Sequence, residues 1–183
     1  MRDKVSAIIR SIDYYWAFII TFLLSLTVFI FAADYNSFFA EIMSVATYLT
    51  WHNLFEFLSI LASFSIFIVT YYTYDESESL RMIILSAAFL VMGVLDVFHT
   101  LSYKGTVDFF IPNTGANRAT TFWILSRMIS SIGILIAFFT PMHKKSKVRK
   151  GFFIFPAWIL IITLFLLVTY QPDTFPAMFI EGQ

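Results

Sequence analysis

The sequence predicts an all-α integral membrane protein, a bundle of five transmembrane helices with its N-terminus in the cytoplasm. Three observations carry this. Apolar residues make up 59% of the 183-residue chain and charged ones only 13%, against roughly 45–50% and about 25% in soluble domains. The apolar residues gather into five runs, each long enough to cross a hydrocarbon core about 30 Å thick. Lysine and arginine fall almost entirely on one side of the resulting topology. The composition excludes a disordered chain, which is poor in apolar residues. With 12 basic residues balancing 12 acidic ones, it also gives no basic surface for nucleic acid. Cysteine is absent, so there is no disulfide, thiolate metal site or thiol nucleophile.

The five spans follow in order. The first, about 14–33, contains no charge and lies between Asp13 and Asp34. It is longer than the apolar core of a signal peptide and no small-x-small cleavage site follows, so it is read as an anchor. The second, about 42–74, is apolar and aromatic except for His52 and Glu56. The third, about 80–101, carries Asp96 and His99 near its far end. The fourth, about 119–140, contains Arg127 and is closed by Pro141. The fifth, about 151–170, is again uncharged, with Pro172 stopping it. A β-barrel would show short alternating strands, and Ile159-Leu160-Ile161-Ile162 does not alternate.

Orientation rests on the positive charges. With the N-terminus inside, cytoplasmic segments hold Arg2, Lys4, Arg10, Arg81, Lys144, Lys145, Lys147, Arg149 and Lys150, whereas external segments hold only Lys104 and Arg118. Nine against two sets the topology. The final segment, Asp173 to Gln183, then lies outside and reads as a loop, so the chain is expected to be a fragment of a larger sensor region. His143 to Lys150 reads as an ordinary topology-setting loop, and Asp75, Glu76 and Glu78 as a solvated turn. The 23 phenylalanines are assigned to packing and lipid contact, and Trp16, Trp51, Trp123, Tyr14 and Tyr103 to interfacial belts.

Charged groups at membrane depth cost at least about 2.5–3.5 kcal/mol each, so five of them need a reason. Counting inward from the outer ends, His52 lies about 8 residues down its helix, Asp96 about 7, His99 about 4 and Arg127 about 9, or roughly 6–14 Å. His52, Glu56, Ser59 and Ser63 share one face by i, i+4, i+7 spacing. So do Ser86, Gly93, Asp96 and Thr100 on the third helix, with His99 adjoining, and Thr120, Trp123, Arg127 and Ser130 on the fourth. Gly93, Ser59 and Ser130 are small enough for close helix approach. The faces are expected to converge on one ligand pocket of His52, Glu56, Asp96, His99 and Arg127 in the outer half of the membrane.

Three chemistries fit such a pocket. Two imidazoles and two carboxylates, His52, Glu56, Asp96 and His99, are a donor set for a divalent transition metal. Arg127 could instead neutralise a carboxylate in a purely structural network. An organic ligand, or haem with His52 and His99 as axial ligands, is the third reading, with the flanking carboxylates against haem. As a function class, a membrane-embedded metal hydrolase with Glu56 or Asp96 as base stands as the alternative to sensing.

Several segments are similar to a known family. Asp96-Val97-Phe98-His99-Thr100-Leu101-Ser102-Tyr103-Lys104-Gly105, Asp108-Phe109-Phe110, and Ala116-Asn117-Arg118-Ala119-Thr120-Thr121-Phe122-Trp123-Ile124 resemble the third type of bacterial membrane-associated sensor domain, the MASE series. So do His52-Asn53-Leu54-Phe55-Glu56 and the closing stretch Phe175 to Gln183. The resemblance, which runs from about Trp51 to the end, implies a sensor domain in the bacterial inner membrane, and 1–183 is read as that single domain. It implies a cytoplasmic output domain beyond this chain, a histidine kinase of a two-component system or a diguanylate cyclase, and a homodimeric full-length protein. No catalysis is then expected of these residues themselves.

Overall fold

The computed structural model describes residues 16, 19–31, 34, 45–141 and 143–179. Their regular structure is helical, with no strand among the described residues. Two units divide the chain, residues 1–50 and 51–183. The first contains the apolar helix α1, Ile19–Phe31. The flanks of the predicted first span at 14, 15, 17, 18, 32 and 33 lie outside the described residues. The apolar side chains of α1 are exposed, and Thr27 Oγ1 returns a hydrogen bond to the Leu23 carbonyl at 2.8 Å. Hydroxyl bonding back to the preceding turn lets a threonine sit in an apolar helix.

Among the described residues, four helices are long and apolar enough to span a membrane: α2, Val45–Ser77; α3, Leu80–Leu101; α4, Asn117–Phe139; and α5, Gly151–Tyr170. The 33 residues of α2 extend about 50 Å at 1.5 Å per residue, well beyond one hydrocarbon thickness. Its last turn therefore carries Asp75 and Glu76 while remaining helical. Glu78, at φ 52°, takes the left-handed conformation that reverses the chain into α3.

The reversal sets α2 and α3 antiparallel. Ser86 Oγ reaches the Phe67 carbonyl at 3.5 Å. Further along, Gly93 faces the Phe64 ring, where a Cβ would lie only 3.3 Å away. The α3–α4 pair is closer still, because Gly133 sits over Ala88 so tightly that an added Cβ would be 2.5 Å from the alanine methyl. Small residues at a crossing allow this approach where lipid leaves no hydrophobic force to drive association. Helix α5 packs Ala157, Ile161, Leu164 and Val168 against Leu90, Val91, Leu95 and Phe122, which form the buried core. Pro156 is accommodated within α5, as membrane helices tolerate when neighbours satisfy the freed backbone.

Aromatic packing closes the core beside the α3–α4 loop. The Phe98 ring lies 4.9 Å from Phe165 and 5.5 Å from Phe122, and Phe109 from the loop lies 6.0 Å from Phe98. Tilted pairs of this kind are worth about 0.5–1.5 kcal/mol each beyond area burial. Exposed apolar side chains such as Phe55, Phe139, Phe152 and Phe155 cover the outside of the helices, as contact with lipid requires.

The opposite end is tied by polar contacts. Tyr74 Oη donates to the carbonyls of Ser146 and Val148, the Ser146 amide donates to the Glu78 carbonyl at 2.8 Å, and the Leu80 amide to the Lys144 carbonyl at 3.0 Å. Lys145 Nζ lies 3.6 Å from a Glu78 carboxylate oxygen, and Lys150 pairs with Asp75. Lys150 lies outside the spanning segments, and its hydrogen bond to Asp75 raises its ammonium pKa above the ordinary lysine value. The acidic turn is thus not merely solvated. It docks the basic loop between α4 and α5.

Candidate functional site

The geometry starts on α2, where the i, i+4 repeat puts His52 and Glu56 one turn apart, facing α3. Their neighbours Trp51, Leu54, Phe55 and Leu58 are exposed on the rest of the helix surface, so the polar pair occupies the narrow packed face. Ser63 on the same face is buried and satisfies itself on the Ser59 carbonyl at 2.9 Å.

On α3, Asp96 is fully buried, which in hydrocarbon demands both a counter-charge and hydrogen bonds. Helix α4 supplies them. Ser126 Oγ donates to Asp96 Oδ1 at 2.7 Å, and Arg127 Nη2 donates to Oδ2 at 3.1 Å. The Arg127 side chain is still 31% exposed and lies over Trp123, with 5.7 Å from the guanidinium carbon to the ring centre. The i, i+4 offset on α4 places that ring beneath the cation, an attraction that holds the fork in position. Each carboxylate oxygen therefore has a donor, and the charge has a partner.

One turn along α3, His99 is nearly fully buried. Its Nδ1 lies 2.8 Å from the Ala119 carbonyl of α4. A carbonyl only accepts, so Nδ1 carries the proton and, in the neutral ring, Nε2 holds the lone pair. Nε2 points toward α2, 3.9 Å from Glu56 Oε1, and has no hydrogen-bond partner; nor has Glu56 Oε2. The His52 ring lies 5.7 Å from that of His99, and the Tyr103 ring 5.2 Å from His52. The donor atoms of His52, Glu56 and His99 all fall within 4.8 Å of one another.

The five residues singled out in the sequence thus fall into two adjoining groups. His52, Glu56 and His99 converge between α2 and α3. Asp96 and Arg127 join Ser126 between α3 and α4, so Asp96, named with the other three as a metal donor, is engaged elsewhere. His99 and Asp96 connect the groups through three residues of helix. Sequence reasoning did not single out Ser126, the Ala119 carbonyl or the contact of Tyr103 with His52.

A separate set of polar contacts orders the loop above. Asn113 Nδ2 donates to the Leu101 carbonyl at 3.0 Å, to the Val107 carbonyl at 2.9 Å and to Thr106 Oγ1 at 2.9 Å, and Arg118 donates to Asn113 Oδ1. Asn117 Oδ1 accepts from the Met178 and Phe179 amides at 2.7 and 3.0 Å. This anchors the segment after α5 to the start of α4. A cavity of about 210 Å³, lined by Asn113, Asn117, Arg118, Thr121, Thr169 and Phe175 among others, lies between them.

Apolar helices with exposed lipid-type surfaces, packed around a cluster of buried ionisable groups, define a multi-pass helical membrane domain with a polar centre. The chain belongs to the MASE3 family of membrane-associated sensor domains, whose model matches residues 43–183. The family resemblance carried by the His52, Asp96–Gly105 and Ala116–Ile124 segments is thereby established. No curated protein and no solved structure matches the chain.

Proposed function

We propose that the chain is the sensory input domain of a bacterial signal-transduction protein, detecting a small ligand or ion at the polar centre in the outer half of the inner membrane. The observation that carries this reading is the position of His99. It contacts Glu56 of α2 at 3.9 Å and the Ala119 backbone of α4 at 2.8 Å, so a ligand seated there bears on three helices at once. The far ends of those helices are joined by the Tyr74, Glu78 and Leu80 contacts to the basic loop. A ligand shifts such a bundle only by its different affinity for two packings. The output reads the far end: a cytoplasmic kinase or cyclase domain of a homodimeric full-length protein, where the catalysis resides. The family match does not support the membrane-hydrolase alternative.

The test is a membrane-embedded fusion of this chain to a cytoplasmic kinase whose autophosphorylation is measured. Glu56→Gln and His99→Ala are expected to change basal output by roughly 5–150-fold, the usual range of coupling between sites, with unaltered membrane insertion. Phe152→Ala, at a 73% exposed position on α5, leaves output unchanged. Output indifferent to both centre substitutions would refute the reading.

A further inference from the structure

We infer that His52, Glu56 and His99 form a three-donor site for one divalent first-row transition-metal ion. The inference rests on the reading of this centre as the point of signal entry and names the class of ligand it takes.

The argument begins with an electrostatic mismatch. The Ala119 carbonyl fixes the proton of His99 on Nδ1, so Nε2 presents a lone pair. It faces a Glu56 carboxylate oxygen at 3.9 Å. Both Nε2 and the second Glu56 oxygen are buried without a hydrogen-bond donor. Nε2 and Oε1, two electron-rich atoms facing one another in a low-dielectric setting, repel, while Nε2 and Oε2 forfeit the hydrogen bonds they would make in water. A cation between them reverses both costs. Asp96 in the adjoining group shows the contrast, since both of its oxygens receive donors from α4.

The donor chemistry is specific. Two imidazoles and one carboxylate are the set used for zinc with an open fourth position, and for ferrous iron in a facial arrangement. The second-neighbour pattern fits too, because metal-bound histidines typically donate their other ring nitrogen to a carbonyl or carboxylate. His99 does this with Ala119. The donor atoms lie within 4.8 Å of one another, whereas ligands about 2.0–2.2 Å from one ion sit roughly 3–3.5 Å apart in a tetrahedron. Rotation of the Glu56 and His52 side chains closes that difference of about 1 Å. The ion thereby ties α2 to α3, and His99 links both to α4 through the Ala119 carbonyl. Tyr103, whose ring lies 5.2 Å from His52 and 6.4 Å from His99, flanks both imidazoles.

The experiment uses the whole chain in detergent, stripped with chelator and titrated with Co²⁺ as a spectroscopic probe and Zn²⁺ as competitor. The expected result is one Co²⁺ per chain, with the visible d–d absorption of a four- or five-coordinate ion, displaced by Zn²⁺. His52→Ala, His99→Ala and the near-isosteric Glu56→Gln should each weaken Co²⁺ binding by more than about a hundredfold, beyond the 10–100-fold typical of losing an outer-shell partner. His143→Ala, in the basic loop, leaves it unchanged. Circular dichroism confirms that each variant remains helical, and Glu56→Gln keeps the test valid if a histidine variant unfolds. No Co²⁺ or Zn²⁺ uptake, or equal uptake by a folded Glu56→Gln variant, would overturn the site and leave an imidazolium–carboxylate pair in its place. In the kinase fusion, unaltered output alongside intact metal binding would count against the sensory reading and not against the site.

Discussion

Arg127→Leu is expected to destabilise the domain by about 3–5 kcal/mol, the loss that follows when a buried ion pair is broken by removing one partner. The magnitude comes from Asp96, which is fully buried and would keep its charge with only Ser126 to answer it. The second half of the prediction separates a charge effect from lost packing. Replacing both partners by apolar groups is often neutral, so Asp96→Leu with Arg127→Leu should recover most of the loss. Ser126 then keeps the Met92 carbonyl, 3.3 Å away, as acceptor. Unfolding in mixed micelles, followed by circular dichroism, gives all four corners of the double-mutant cycle. A double variant whose loss equals the sum of the two single losses would show that the pair contributes no coupling.

Gly133→Ala should cost about 1–3 kcal/mol, the usual penalty for overpacking a close contact. The new methyl would lie 2.5 Å from the Ala88 Cβ, where carbon atoms prefer about 3.5–4.0 Å. Helices α3 and α4 must then separate at that crossing, loosening the Ser126 and Arg127 contacts to Asp96 as well. Ala88→Gly in the same chain removes the opposing methyl and should restore stability, measured by the same unfolding experiment. A Gly133→Ala variant as stable as the parent would mean that the crossing is looser than described.

How much of this was legible in the sequence differs by level. The helices were, because apolar runs and the placement of Lys and Arg report directly on a bilayer. The end of α2 was not: the apolar run stops at Tyr74, but backbone hydrogen bonding continues to Ser77, since a helix can leave the lipid without ending. Of the centre, the side chains that carry charge could be named because burial of His52, Glu56, Asp96, His99 and Arg127 is costly wherever they point. How they divide could not. Asp96 is claimed by Ser126, which lies about 100° around the helix from Arg127, at the edge of the stripe of Trp123 and Ser130. The Ala119 carbonyl is backbone and leaves no mark in the sequence, yet it sets the tautomer of His99. Gly93 stood out as a small residue on a polar stripe, while Gly133, the tighter contact, lay among isoleucines. Tyr103 looked like one more interfacial aromatic until the turn after α3 brought it beside His52.

The proposed sensory reading puts the polar centre in the outer half of the membrane and the docked basic loop on its cytoplasmic side. The chain contains no cysteine, so single thiols can report on it directly. Val107→Cys, at a 90% exposed position in the α3–α4 loop, and Lys147→Cys, in the exposed basic loop, are treated in intact cells with a membrane-impermeant maleimide. The positive charge distribution predicts labelling at 107 in intact cells and at 147 only after permeabilisation. Labelling at 147 with protection at 107 would invert the topology and contradict the account.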